Sequence, residues 1–302
     1  MRKIYLVLLL SVQSLWGLDN FRLGIGFIPH VQFTPLYVGI TMGFFAEEGI
    51  NLELDYIMGA DLTSLLLSGQ LTAILTDGDH ALIAASSGLP VRAFAQYYRS
   101  SPLSIASINA HVQSPGDLRG RVIGTPELYG SSYIALREFL RYHNLEGAVT
   151  IERIGFTQLA MLQSGHIDAA VTFANHENVI LAELPGFIHF DLRNFSNLVG
   201  AAFVTGSNQI NNNADLFIRF NRALAKSLQF TRQNRQLAYS IFEAFVPAAH
   251  NELTFRILEA TLPYFSLDGT LNSSYYSYTL QILAGLNMLN GTVNLANFLW
   301  QP

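Results

Sequence analysis

Between Phe21 and Thr205 short apolar runs alternate with segments of helical period, and one such module is set inside another. This alternation is the pattern of a largely parallel sheet, because a parallel strand needs a crossover to rejoin its neighbour. Phe21 to Phe27 reads as the first strand, and NLELDY (51–56) as the second by strict alternation. TAILTDGDH (72–80) reads as a strand ending in a polar loop at Asp77, and Val91 to Tyr98 as the next strand. Helices fill the gaps: one holding Leu36, Tyr37 and Ile40, a helical corner at FFAEEGI, one from Asp61 to Ser68 capped by Asp61, and one from Ala81 to Ser87. Residues 102–108 make a further strand, residues 149–154, 168–173 and 187–191 are strands of a second module inserted over 108–197, and Leu198 to Thr205 returns to the first. From Asn211 onward the pattern is helical, beginning with the amphipathic LFIRFNRALAKSLQF.

The stretch RVIGTPELYGSSYIALREF (121–139) lies at the centre of the inserted module. Val122 and Ile123 form a buried strand, a Gly/Pro turn follows, and Tyr133, Leu136, Phe139 and Leu140 recur at helical spacing. Gly130, Ser131 and Ser132 stand where the helix begins. There a serine can cap, and the first N–H groups lack intrahelical partners. Glu127 and Tyr129 hang from the same loop. In open α/β sheets ligands bind beyond the carboxyl ends of the strands, so this loop is a candidate site. An ordinary strand–turn–helix corner is the competing reading.

A chain of 302 residues has room for two domains, and its net charge of −5 with no basic tract argues against a nucleic-acid partner. It contains no cysteine, which excludes disulfides, thiolate metal sites, a cysteine nucleophile and a lipid-modified N-terminal cysteine. Arg2 and Lys3, the apolar run Ile4 to Leu10, and the smaller and polar residues up to Gly17 have the layout of a secretory signal peptide over 1–17. The run is shorter than the ~20 residues of a membrane span. Leu15 and Trp16 are large for a cleavage site, and an uncleaved anchor is the alternative.

The other strand-end loops carry further candidates: Gln32 and Phe33; Asp77, Gly78 and Asp79; Tyr97 and Tyr98; Tyr133; Phe156 and Gln158; Phe173, Asn175 and Glu177. Aromatic faces suit a planar ring, and amides and acids give directed hydrogen bonds. Core packing is the alternative for each aromatic residue. Strand alternation turns one of Tyr97 and Tyr98 inward and the other outward. Asp77 and Asp79 have the alternative role of capping the helix at 81. Arg99 is the sole cation in these loops, which favours a neutral ligand over a phosphate or sulfonate. His30, His80 and His176 also lie in them, but with no HxxxH or HExxH spacing, so no metal site is expected.

VQFTPLYVGITMGFFAEEGINLEL (31–54) resembles the opening of periplasmic solute-binding proteins of ABC importers, within the NMT1/THI5-like group. IGTPELYGSSYIALREFL (123–140) and IGFTQLAMLQSGHIDAAVTFANHE (154–177) are similar to riboflavin-binding members of that group. The segments TDGDH and FANHEN depart from the pattern. The resemblance implies an α/β, two-lobed periplasmic binding protein fold (type II), with ligand in the interlobe cleft. The interrupted module pattern independently gives the same division: 18–106 plus 199–302 as lobe I and 107–198 as lobe II, crossing near 103–108 and 198–204.

The implied function is capture of riboflavin or a related planar heterocycle for an ABC permease in the inner membrane, by a monomeric periplasmic protein that is not a lipoprotein. Riboflavin is then cargo and no cofactor is expected. A thiamine pyrimidine precursor is the alternative ligand. An enzyme is the alternative of another class, since some eukaryotic members of the superfamily make the thiamine pyrimidine with pyridoxal phosphate on a lysine and a Cys-rich segment. After the leader this chain has a single lysine, Lys226, in the tail helix, and no cysteine. A Schiff base needs a lysine in the cleft, so no enzymatic activity is expected.

Overall fold

The computed structural model describes residues 17–247 and 251–302; the expected leader, apart from Gly17, lies outside them. Its strands are β1 (Asp19–Ile25), β2 (Ile50–Tyr56), β3 (Ala73–Asp77), β4 (Val91–Gln96), β5 (Leu103–Ser107), β6 (Val122–Thr125), β7 (Thr150–Arg153), β8 (Ala169–Phe173), β9 (Ile188–Asp191) and β10 (Ala201–Gly206). The helices are α1 (Thr34–Thr41), α2 (Phe44–Glu47), α3 (Leu62–Leu67), α4 (Gly78–Ser86), α5 (Gly130–Tyr142), α6 (Gln158–Gln163), α7 (Glu177–Leu181), α8 (Ser207–Asn212), α9 (Ala214–Gln233), α10 (Arg235–Phe245), α11 (Glu252–Thr261), α12 (Ser273–Gly285) and α13 (Leu295–Phe298).

The strands form two five-stranded sheets, ordered β2-β1-β3-β10-β4 and β7-β6-β8-β5-β9. The two orders are the same pattern used twice. In each, the second strand has a parallel neighbour on either side: β1 with β2 and β3, and β6 with β7 and β8. In each, one strand runs antiparallel between the last two: β10 between β3 and β4, and β5 between β8 and β9. These two strands follow the segments where the chain passes from one sheet to the other, so each enters its new sheet against the direction of the rest. The sheets are therefore mixed rather than largely parallel. Residues 103–106, which the sequence pattern assigns to lobe I, pair in the second sheet.

The first sheet is held by aromatic residues from distant parts of the chain. Phe21 on β1, Phe94 on β4 and Phe203 on β10 are at most 2% exposed and meet Phe217 and Phe220 of α9. Phe217, Phe220, Ala223, Leu224 and Leu228 fall on one face of α9 by the 3.6-residue period. Each such phenylalanine contributes roughly 1.5–3 kcal/mol by leaving water.

The tail helices also bridge the lobes. α11 packs on both α7 and the 3-10 turn Val31–Phe33, and Arg256 of α11 pairs with Glu183. α12 packs on α4 and α5, the Tyr278 hydroxyl meets the buried Glu138 carboxylate, and Thr279 Oγ1 accepts from the Val199 N–H at 2.9 Å. Among the described residues no helix is long and apolar enough to cross a membrane.

Candidate functional site: the interlobe cleft

The lobes meet at two junctions, each formed by the carboxyl end of a strand from either sheet. The exit of β3 faces the exit of β6, and the exit of β1 faces the exit of β8. These pairs are equivalent in the repeated sheet pattern, yet their chemistry differs.

The first junction is acidic and hydroxylic. Ser131 Oγ, at the second residue of α5, lies 2.7 Å from Asp77 Oδ2 and 2.9 and 3.0 Å from the two Asp79 oxygens. A hydroxyl has one proton to donate, so three carboxylate oxygens compete for it. Asp77 occupies the N-cap position of α4, but its side chain makes no capping bond there; the carboxylates reach across the cleft instead. Asp79 is only 4% exposed, and burial pushes its carboxyl upward, with the charge of His80 opposing. Asp79 in turn is the main cause that raises His80. Tyr129, not a serine, holds the N-cap position of α5, which begins at Gly130 with φ of 72°. A Cβ at Gly130 would stand 3.2 Å from His80 Nε2, so glycine serves both the turn and the close approach.

The second junction is aromatic and amidic. Tyr97 and Tyr98 are both buried, which overturns the expected alternation. β4 ends at Gln96, and the next two N–H groups both donate to the Ala201 carbonyl at 2.9 Å, so the backbone is no longer extended. The Tyr97 hydroxyl donates to the Gln32 carbonyl at 2.7 Å, and the Tyr98 hydroxyl lies 3.5 Å from Gln32 Oε1. Tyr98 stacks on Phe265, with centroids 5.4 Å apart, and its hydroxyl interacts with Asn175. Asn175 Nδ2 donates to Thr261 Oγ1 at 3.1 Å.

The His30 and His176 rings face each other across the lobes at 5.6 Å. His30 Nδ1 accepts from the Gln32 N–H, so neutral His30 carries its proton on Nε2. Burial first, and then His176, push His30 down to about 4, with Glu177 opposing. Glu177 accepts from the Phe173 N–H at 2.9 Å.

The remaining candidates make other contacts. Phe33 is 5% exposed and packs in the first core, 6.0 Å from Tyr56. Phe173 packs with the other core cluster. The Tyr133 hydroxyl accepts from Arg137 at 3.1 Å, and Ser132 is half-buried at the third residue of α5. Glu127 is paired with Arg153, and Tyr129 and Phe156 are 67% and 77% exposed. Gln158 is buried with its amide nitrogen unpartnered. His30, His176, Thr261 and Phe265 were not among the expected ligand residues. The two histidines were visible as strand-exit residues, whereas nothing in the tail sequence marks Thr261 or Phe265. Among the described residues no three His, Asp or Glu side chains converge as a metal site.

Two mixed sheets of one pattern, facing each other across a cleft and joined by exchanged strands, are the two-lobed fold of periplasmic binding proteins. The periplasmic aliphatic sulphonate binding protein SsuA from Escherichia coli superposes with a TM-score of 0.77 over 94% of this chain and 92% of that one, at 14% identity. The chain belongs to the NMT1/THI5-like family, whose model matches residues 30–238. It is 27% identical to the riboflavin-binding protein RibY of Chloroflexus aurantiacus over 92% of this chain and 84% of that protein. It is 31% identical to a formylaminopyrimidine-binding protein of Halalkalibacterium halodurans over 55% of this chain and 51% of that protein. It is also 24% identical to a 4-amino-5-hydroxymethyl-2-methylpyrimidine phosphate synthase of Legionella pneumophila over 77% of this chain and 76% of that protein. Lys226 here lies on α9, 3.1 Å from Glu47 and away from both junctions.

Proposed function

We propose that this protein is the extracytoplasmic solute-binding component of an ABC importer and that it captures riboflavin between its lobes. The observation that carries the reading is the chemistry of the junctions. One offers tyrosines with the amides of Gln32 and Asn175, the other carboxylates and a hydroxyl. A flat ring with carbonyl and N–H edges needs large apolar faces and neutral partners, because a polar edge left unpaired in a closed cleft costs free energy. The likeness to RibY over most of the chain supports the same cargo.

On this reading the lobes rotate about the segments that join them, 97–102 and 192–200, to admit the ligand and close on it. The monomer works in the periplasm after removal of the leader and hands the vitamin to a permease without chemistry. The division 18–106 with 199–302, against 107–198, belongs to the same proposal, with 103–106 moved across by sheet pairing.

Titration of riboflavin against ligand-free protein tests it. Saturable quenching of flavin fluorescence at one site per chain is expected. No quenching, together with calorimetric binding of formylaminopyrimidine, would replace riboflavin by the thiamine pyrimidine precursor as ligand.

A further inference from the structure

Beside the acidic junction lies a small hollow lined by Asp79, Ser101, Ser131, Ile134, Leu198 and Val199. It sits where both segments joining the lobes pass. Ser101 is 8% exposed, and its hydroxyl has no hydrogen-bond partner among the described residues. The neighbouring Ser100 hydroxyl is fully buried and also unpartnered. Ser100 does not line the hollow; Ser101 does, and its unpartnered oxygen is not closed off there, so a polar group of another molecule can reach it. The carboxylates are thinly supplied with donors: three of their oxygens share the single proton of Ser131, and Asp79 adds its own backbone N–H.

We propose that Asp77, Asp79, Ser101 and Ser131 form a polyol subsite, which takes the hydroxyl-rich chain of the ligand when the lobes open and close around it. This rests on the flavin reading above. A chain of adjacent hydroxyls supplies further donors to the carboxylates and accepts from Ser101. Hydrogen bonds from O–H to an ionised carboxylate are short and strong. Ile134, Leu198 and Val199 wall the hollow with apolar surface, which strengthens such bonds by excluding water.

The same arrangement is selective. No arginine or lysine lines the hollow, and His80 is the neighbouring group that carries positive charge when protonated. A ligand whose chain ends in phosphate brings two negative charges against Asp77 and Asp79 and meets no bidentate cation. The subsite therefore selects the free vitamin over its phosphorylated form, whereas the aromatic junction binds the ring of both.

The test compares three flavins by fluorescence titration: riboflavin, lumiflavin, which has the ring without the polyol chain, and flavin mononucleotide, which has the chain ending in phosphate. Riboflavin should bind at least tenfold more tightly than lumiflavin and at least a hundredfold more tightly than flavin mononucleotide. Asp79→Asn should narrow the gap between riboflavin and flavin mononucleotide. Ser101→Ala removes a hydroxyl that holds nothing in the ligand-free fold. It should weaken riboflavin about threefold to tenfold, the loss of one hydrogen bond, and leave lumiflavin unchanged. Equal binding of riboflavin and lumiflavin, or of riboflavin and flavin mononucleotide, would overturn the subsite while leaving the flavin reading intact. Failure of riboflavin and lumiflavin alike to bind would overturn the flavin reading and the subsite with it.

Discussion

The two junctions between the lobes occupy equivalent places in a repeated sheet pattern, yet truncation should cost them different amounts and pH should act on them with opposite sign. At the aromatic junction, buried rings join the first core to the tail, with Tyr98 stacked on Phe265 and Tyr97 bonded to the Gln32 carbonyl. At the acidic junction, two carboxylates meet one serine, with a hollow behind them. The first therefore belongs to the fold, whatever it does for a ligand. The second is a contact that the folded chain can lose at small cost. One end of the cleft is fixed by packing, and on the proposal above the other keeps polar groups that cargo completes.

The largest effect should come from the aromatic side. Tyr98→Ala removes a ring 5% exposed and should cost about 3–5 kcal/mol of stability, the range for deleting a large buried aromatic. Urea unfolding at neutral pH measures it. A loss below 1 kcal/mol would mean that the ring is not part of the core.

The next effect is a difference in sign. His30 is pushed from 6.5 to about 4 in the folded protein, so its contribution is present above 6.5 and is lost as pH falls through 4. Two and a half pKa units correspond to at most about 3 kcal/mol. Asp79 is raised instead. Its contribution is present below the ordinary carboxylate pKa of about 3.9 and is lost as pH rises through its folded value. His30→Gln should therefore lose less stability than the wild type between pH 7 and 5, and Asp79→Asn should gain less on the same acidification. Unfolding midpoints at the two pH values check both, and slopes that change in the same direction would break the contrast.

A smaller loss is expected on the acidic side. Ser131→Ala removes the shared hydroxyl and should cost about 0.5–1.5 kcal/mol, several times less than Tyr98→Ala in the same urea assay. The smallest effect should be at Tyr129, which is 67% exposed. Tyr129→Ala should shift stability by no more than about 0.5 kcal/mol. Parity between Ser131→Ala and Tyr98→Ala would erase the distinction between the junctions.

The strands were legible where local pattern and burial agree. NLELDY alternates and becomes β2, and Asp61 caps α3 through its bonds to the Thr63 and Ser64 N–H groups. Legibility failed where a distant partner decides. Tyr97 and Tyr98 turn together because the Ala201 carbonyl, over a hundred positions away, takes both N–H groups. α4 starts at Gly78, ahead of the expected Ala81, where the absence of a side chain lets the backbone pass Val199 and Gly200. The two junctions were legible in part for the same reason. Asp77, Ser131 and Asn175 sit at strand exits, which topology marks as ligand ends, whereas Thr261 and Phe265 come from a tail whose own pattern shows only helices.

Hydrogen–deuterium exchange with and without saturating riboflavin tests most directly the claim that both junctions close on one ligand. Slower exchange is expected at 30–33, 97–101, 130–133 and 174–177 together, with the buried face of α9 unchanged. Unaltered exchange at all four segments, or protection confined to a surface outside the cleft, would contradict the account.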